Sequence, residues 1–373
     1  MVWPAAGCFD SPHSSFFMQN LHIVIAGGSG FIGTALAHYF GKQNRVTLLT
    51  RGSHTAHNNR YCRSTGLPPG VEQVYWNGKD TGDWCRCIDG CDMVINLAGQ
   101  SVNCRYTSRN KAALLSSRTQ TTKAIGAAIQ QAVRPPALWI NAASATIYRH
   151  STLQPQDELT GEISPVKRAD EYASGYDAFS RRLCLLTGAW RNGRTIDDFS
   201  VQVCRLWEQT FFSQVTPATR KIALRMAIIL GEGGVMVPYL NLCKWALGGP
   251  QGNGSQRFSW IHIEDVCRIA AFVWQHPELE GVFNASSPHA VTNSVFMQTL
   301  RKITHNRLGL PAPVWLLQAG AKLIGTETEL LLKSRWVVPA RLQQAGFTFR
   351  YPGLEEALAA IVTPLPRRRY HLF

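Results

Sequence analysis

A chain of 373 residues with 45% hydrophobic and 17% charged residues has the composition of a folded protein, long enough for one or two domains and too apolar to be disordered. Its net charge of +14 calls for an anionic partner, yet the basic residues are scattered apart from Arg367–Arg369 and no nucleic-acid module is recognisable, which favours a polyphosphate small molecule over DNA or RNA. No apolar run approaches the roughly 18–20 residues that span a bilayer, and the ten Cys, with Cys85, Cys87 and Cys91 in "CRCIDGC", lack the paired spacing of a zinc site, so neither a membrane span nor a metal is expected.

Residues 1–17, "MVWPAAGCFDSPHSSFF", have no basic stretch and are broken by Pro4, Asp10 and Pro12, so they read as a disordered extension rather than a leader. The β-rich run His22–Ala26 then leads into Gly27, Gly28, Ser29, Gly30, Phe31, Ile32 and Gly33, with a helical pattern from Phe31 to Phe40. Glycines at this spacing, between a strand and a helix, suit a dinucleotide. The first permits a tight turn, the second lets backbone approach a pyrophosphate, and the third lets the helix pack on the strand. The helix start adds free N–H groups and a favourable dipole. The second strand, "RVTLLT", ends in Thr50 and is followed by Arg51. An acid there would hold the ribose 2′-OH of NAD, whereas Arg suits a 2′-phosphate, so NADP(H) is expected in preference to NAD(H).

"DMVINLAGQ" supplies a strand whose end, Leu97, Ala98 and Gly99, is small enough to leave room for the cofactor. The helical run "SRNKAALLSSRTQTTKAIGAAIQQA" carries Arg118, which either points back to the cofactor phosphates or faces solvent. The next strand, "ALWINAASATIY", ends with Ser144 and Tyr148, four residues apart. After "KIALRMAIIL", Gly231, Gly233 and Gly234 suit a loop passing over a nicotinamide, with Ile228 and Ile229 beside it. In "SWIHIEDVCRIAAFVW", Asp265 reads as an N-terminal helix residue and His262 as a structural hydrogen-bonding group. Val291 to Ile361 is mostly helical in pattern and would cap the substrate pocket, with Lys333 and Arg335 facing either an anion or solvent.

"GGSGFIG", "NLAG" and "SATIY" resemble an extended short-chain dehydrogenase/reductase. "ALRMAIILGEGGVMVPYL", "LGGPQGNGSQRFSWIHIEDV" and "VVPARLQQAGFTFRYPGLEEAL" narrow the resemblance to the atypical epimerase-family branch, also called nucleoside-diphosphate-sugar epimerase-like, which has its own C-terminal domain. The resemblance runs from about Leu21 to Ile361, apart from an insertion at about 161–196. It implies an α/β fold, a Rossmann-type doubly wound parallel sheet with a smaller, mainly helical C-terminal substrate domain. The expected divisions are 1–17 extension, 18–235 NADP-binding domain, 236–362 substrate domain and 363–373 basic tail. The resemblance further implies an NADP(H)-binding oxidoreductase or epimerase/dehydratase-like protein acting by hydride transfer on a small carbonyl or alcohol substrate, with homodimers frequent on this fold; the scattered cysteines in apolar contexts point to a reduced, cytoplasmic protein.

The superfamily's usual acid/base pair is Tyr-x-x-x-Lys, one helical turn apart, the Lys lowering the Tyr pKa. Here the helix expected to carry it is "DFSVQVCRLWEQTFF", which places Ser200 at the Tyr position and Cys204 at the Lys position, and the chain is read as lacking the pair. Tyr148 with Ser144 is the first substitute expected for catalysis, and Glu208 a weaker one. A mid-helix Cys204 reads as core rather than nucleophile. The other class of function compatible with this loss is a catalytically silent NADPH sensor or scaffold.

Overall fold

The computed structural model describes residues 18–51, 67–164, 195–306, 308–312 and 334–371. The expected N-terminal extension, most of the insertion and Lys333 lie outside the described residues. β1 (His22–Ala26), α1 (Phe31–Phe40), β2 (Arg45–Thr50), β3 (Val71–Tyr75), β4 (Met93–Asn96), α2 (Ser108–Gln131) and β5 (Leu138–Ser144) form the first half. α3 (Thr195–Phe212), β6 (Arg220–Met226), β7 (Ile228–Leu230) and α4 (Met236–Lys244) follow. β8 (Arg257–Phe258), β9 (Trp260–His262), α5 (Ile263–Gln275), β10 (Gly281–Ala285), β11 (Val291–Thr292), α6 (Asn293–Ile303), α7 (Ala340–Gln344) and α8 (Leu354–Val362) complete the chain.

Seven strands form one sheet in the order β10-β6-β5-β4-β1-β2-β3, and every pairing in it is parallel. Parallel strands need crossovers, and helices on both faces bury the sheet, which is why its strands read as near-continuous apolar runs. Side chains alternate between the two faces. Ile23 and Ile25 of β1 pack with Leu36, Phe40, Val266 and Ile269 of α1 and α5. Val24 and Ala26 point the other way, toward Ala124, Ile125 and Ile129 of α2 and toward Trp139 and Phe211. The strand order reverses between β1 and β4, and such a switch point leaves a crevice at the carboxyl ends where ligands bind. The expected doubly wound α/β architecture is present.

The expected division at residue 235 does not hold in chain order. β10 returns to the main sheet beside β6, so residues 281–285 belong to the first layer structure rather than to a separate substrate domain. The smaller unit is a second core in which Tyr239, Phe258, Phe296, Leu358 and Ile361 join α4, α6 and α8 to the short strand β8. The basic tail is not a loose end either. Tyr370 is buried in this second core, and the Arg368 carbonyl accepts a hydrogen bond from Lys244 Nζ at 2.9 Å, while Arg367–Arg369 themselves stay exposed.

One junction fixes the C-terminal segment to the main sheet. Asp265, fully buried in the first turn of α5, accepts hydrogen bonds from the backbone N–H groups of Arg350 (2.7 Å) and Tyr351 (3.0 Å). His262 caps the same helix, its Nδ1 accepting from the Glu264 N–H at 3.2 Å, and its ring lies 4.1 Å from that of Tyr351. His262 is therefore the structural residue expected from sequence. Burial lowers its pKa to about 4, against a smaller opposing pull from Asp265. The folded pKa lies below the unfolded value, so the unfolded chain binds more protons between the two, and stability falls as pH drops from about 6.5 to about 4. The expected loss over that window is on the order of 3 kcal/mol. In His262→Asn, which keeps a capping side chain, urea unfolding should show a flatter acid limb. Parallel pH–stability curves for the two proteins would exclude His262 as the cause.

Candidate cofactor and active site

The glycine loop lies at the switch point. Gly27 follows β1 with φ of +79°, and a Cβ placed on it would stand 3.0 Å from the backbone of Leu97 and Ala98 at the end of β4. Only glycine combines that conformation with that approach. Gly33, inside the first turns of α1, would bring a Cβ to 2.6 Å from Gly28 Cα, so the helix seats directly on the loop. Gly30 is the N-cap, with no capping side chain and no acid in the first turn, which leaves the helix start suited to an anion. Gly28, Ser29, Phe31 and Ile32 complete the loop. Gly231 packs so close to Phe31 that a Cβ would meet the ring at 2.6 Å, and Ile229 is half-buried just before it. The "LGEGG" loop is thus brought onto the glycine loop.

Thr50 is buried and its carbonyl accepts from the Trp76 N–H at 3.0 Å, while Arg51 emerges exposed at the end of β2. Arg118 projects from α2 toward Gly99, where a Cβ would stand 3.4 Å from its guanidinium carbon. It stacks over Trp207 at 5.1 Å and donates to the Leu114 carbonyl at 2.9 Å. Burial lowers its pKa, with Cys204, Tyr106 and Cys104 pulling the other way. Ser29, Gly30, Phe31, Leu97, Ala98, Gly99 and Arg118 therefore gather at one crevice, with Arg51 at its outer end.

Beneath the crevice, Asn96 Nδ2 donates to Asn141 Oδ1 (2.7 Å) and to Thr122 Oγ1 (3.2 Å), and Trp207 Nε1 donates to the same hydroxyl (3.2 Å). Asn96 and Asn141 are fully buried, each near the carboxyl end of its strand. The only sequence sign of this network was a lone Asn inside each of two apolar runs.

Ser144 ends β5. Its Oγ accepts from the Thr146 N–H at 3.2 Å, and its hydroxyl hydrogen-bonds the Cys204 sulfur. Burial pushes the Cys204 thiol up to about 11, so it is no nucleophile at neutral pH. Tyr148 is 1% exposed. Its O–H donates to Asn284 Oδ1 at 3.0 Å and accepts from Arg225 Nη1 at 2.9 Å. Burial raises its pKa, with Arg225 and Asn284 opposing. Ser144 and Tyr148 are not brought together: the serine faces Cys204, and the phenol is enclosed between β6 and β10. Arg225 also meets Glu208 in a two-pronged ion pair, 2.8 Å on each side, with both side chains about nine-tenths buried. Burial opposes the Arg225 charge, but Glu208 more than offsets it and raises the Arg225 pKa. Sequence reasoning missed Arg225 and Asn284, although one Arg in "IALRM" opposite one Glu in an apolar helix was a visible signal.

The absence of Tyr-x-x-x-Lys needs one correction. Tyr75 and Lys79 have that spacing, but Tyr75 is the last residue of β3, 62% exposed, and Lys79 follows a turn at Gly78 with φ of +74°. The pair is not on a helix and is remote from α3. On α3 itself Ser200 and Cys204 stand as expected, and Ser200 Oγ lies 3.3 Å from the hydroxyl of Tyr106, a residue that no sequence signal singled out. Among the described residues no group of His, Cys, Asp and Glu could hold a metal, and no helix is long and apolar enough to cross a membrane.

Breaking a buried ion pair leaves an uncompensated charge and costs about 3–5 kcal/mol, whereas removing both partners together costs far less. Glu208→Ala should therefore lower the urea midpoint sharply, and Glu208→Ala with Arg225→Met should recover much of the loss. Additive losses in the double variant would show that the pair is not coupled.

The NAD dependent epimerase/dehydratase family matches residues 23–190, and a domain of unknown function (DUF1731) matches residues 312–361. Epimerase family protein SDR39U1 of Bos taurus is 28% identical over 349 residues, covering 92% of this chain and all of the relative. The crystal structure of human epimerase family protein SDR39U1 (isoform2) with NADPH superposes with a TM-score of 0.71 at 26% identity, covering 92% of this chain and 100% of that one. A UDP-N-acetylglucosamine 4-epimerase from Methanobrevibacter ruminantium shares the fold at a TM-score of 0.65 and 16% identity, over 93% of this chain and 98% of that one. With the crevice at the β1/β4 switch point, the chain carries an NAD dependent epimerase/dehydratase family block followed by the C-terminal DUF1731 block, and over most of its length it is similar to epimerase family proteins.

Proposed function

We propose that the chain binds NADP(H) and catalyses hydride transfer on a small carbonyl or alcohol substrate, without a helix-borne Tyr–Lys pair. The observation that carries this reading is the Gly27 cradle, a positive-φ backbone turn 3.0 Å from the Leu97–Ala98 backbone that any Cβ would fill. A pyrophosphate fits there beside the uncapped start of α1. Arg51, with no acid in its place, suits the 2′-phosphate, and the human relative with NADPH supports that preference. Bound in this cradle, a nicotinamide dinucleotide supplies a hydride donor or acceptor.

The chain's own residues do the rest. The glycine-loop backbone and Arg118 hold negative charge, the Gly231–Gly234 loop covers the crevice, and Ser144 orients the substrate oxygen from the end of β5. The enclosed Tyr148 phenol braces β6 against β10 in this reading instead of moving a proton. The second reading, an NADPH sensor without turnover, is favoured by one observation: Ser200 and Cys204 stand where the acid/base pair would be.

Nicotinamide fluorescence titration tests the cofactor assignment. Arg51→Ala should weaken NADPH binding by about tenfold or more, equivalent to about 1.4 kcal/mol, with NADH affinity nearly unchanged. Gly33→Val should remove binding of both. Equal wild-type affinity for the two cofactors would sink the NADP preference, and no binding of either would sink the whole reading. Turnover against a carbonyl panel then separates enzyme from sensor.

A further inference from the structure

The face of α3 that lacks Tyr and Lys is not bare. Ser200 and Cys204 lie one helical turn apart on the same side. Cys204 meets Ser144, the residue at the end of β5, and Ser200 meets the phenolic oxygen of Tyr106 at 3.3 Å. Tyr106 comes from the segment between β4 and α2, two residues before that helix begins, and its ring packs edge-on against Phe199 with centroids 5.2 Å apart. Arg118, two-thirds of the way from that helix start toward Thr122, lies against Gly99 and is near enough to both Tyr106 and Cys204 to feel their charge. A phenol and a cation thus converge on the helix position from which the superfamily projects its own phenol and cation.

We propose that Tyr106 is the proton-transfer residue of this protein, with Arg118 as the positioning cation, so that the missing pair is supplied from the β4–α2 segment and α2 instead of from α3. The proposal rests on the hydride-transfer reading above. In the reducing direction the substrate carbonyl carbon gains a hydride, with reduced nicotinamide as the reductant. The carbonyl oxygen takes the proton of Tyr106 as its O–H bond breaks. The carbonyl becomes an alcohol, the nicotinamide is oxidised, and water returns a proton to the phenolate. Arg118 offsets the phenolate charge, as a cation near a tyrosine favours its ionised form. Cys204 on α3 and Cys104 in the Tyr106 segment are the other titratable groups that act on Arg118, and Lys111 on α2 has its Nζ 5.1 Å from the centroid of the Phe199 ring against which Tyr106 packs.

The test uses the ligand-free full chain with carbon-13 at the tyrosine ζ position, followed by NMR across pH. Tyr106→Phe assigns the resonance by its disappearance, and Tyr106→Trp does so if the first variant does not fold. The Tyr106 signal should titrate about one pH unit or more below the ordinary tyrosine value of about 10. It should move back upward in Arg118→Met and be restored in Arg118→Lys. A midpoint at or above the ordinary value, or one unmoved by Arg118→Met, would overturn the assignment. NADPH titration of wild type and Tyr106→Phe keeps the two ideas apart. Unchanged affinity with an acidic Tyr106 supports the proposal. Normal NADPH binding with an unshifted Tyr106 removes the proposal and leaves the cofactor reading standing. Failure of the wild type to bind NADPH removes both.

Discussion

The meeting of two backbones at the switch point sets the rest of this structure. β1 and β4 are neighbours in the sheet, and the chain leaving each must turn away in opposite senses around the reversal in strand order. Gly27 accomplishes the first turn with its backbone against Leu97 and Ala98. A side chain on Gly27 would force the two strand ends apart and lift α1 off the sheet, since Gly33 has no slack against Gly28 either. The same closeness makes the crevice narrow, floors it with peptide groups and leaves an uncapped helix start at its side. A backbone geometry suited to an anion there comes from packing and does not depend on holding a charged side chain in place.

The second half of the sheet is organised by a different interaction. Arg225 and Glu208 are buried as a pair, with Tyr148 and Asn284 taking up the remaining hydrogen-bonding capacity of the guanidinium and phenol. Such a pair contributes little net stability relative to apolar residues of similar volume, but removing one partner alone is costly. It joins α3, β6, β10 and the segment after β5. Asn284 extends the tie, its Nδ2 donating to the Val338 carbonyl at 3.0 Å and its backbone N–H donating to Glu158 at 2.7 Å. The C-terminal segment is thereby tied to the sheet edge at β10, and the Asp265 junction fixes it again through α5.

How much of this could be read in advance follows from what kind of signal each feature leaves. The glycine loop, the apolar strands and the end of β4 were legible because backbone geometry restricts residue type strongly there: Gly27 and Gly33 admit nothing else. Arg51 was legible only as an exposed cation just after β2. The face of the candidate site was not. Tyr148 beside Ser144 in sequence suggested a catalytic couple, but Tyr148 leaves β5 through a short 3-10 turn, Ala145–Ile147, that rotates its side chain toward β6 and away from Ser144. Arg225 and Tyr106 carry long-range partners, separated from them by 17 and 94 residues, and no local pattern announces such pairings. The domain boundary failed for a topological reason. A strand of five residues, β10, looks the same in sequence whether it returns to the first sheet or starts a second one.

Loss of Tyr and Lys from α3 also changes the shape of the site as well as its chemistry. Ser200 and Cys204 are small, so the helix withdraws volume from the crevice at the position where its relatives in the wider superfamily fill it. That space must be taken up by substrate or by another part of the chain, because close-packed interiors do not hold voids cheaply. On one side Tyr106 and Phe199 take it up, and on the other Ser144 is held by the Thr146 amide and Cys204. Arg118, which lies against Gly99, borders the cofactor crevice on the side of the β4–α2 segment. The substrate oxygen would then sit between Ser144 and Tyr106, displaced toward β4. If Tyr106 supplies the proton as proposed, the residues between Gly99 and Ser108 would form part of the substrate wall as well, beside the C-terminal domain.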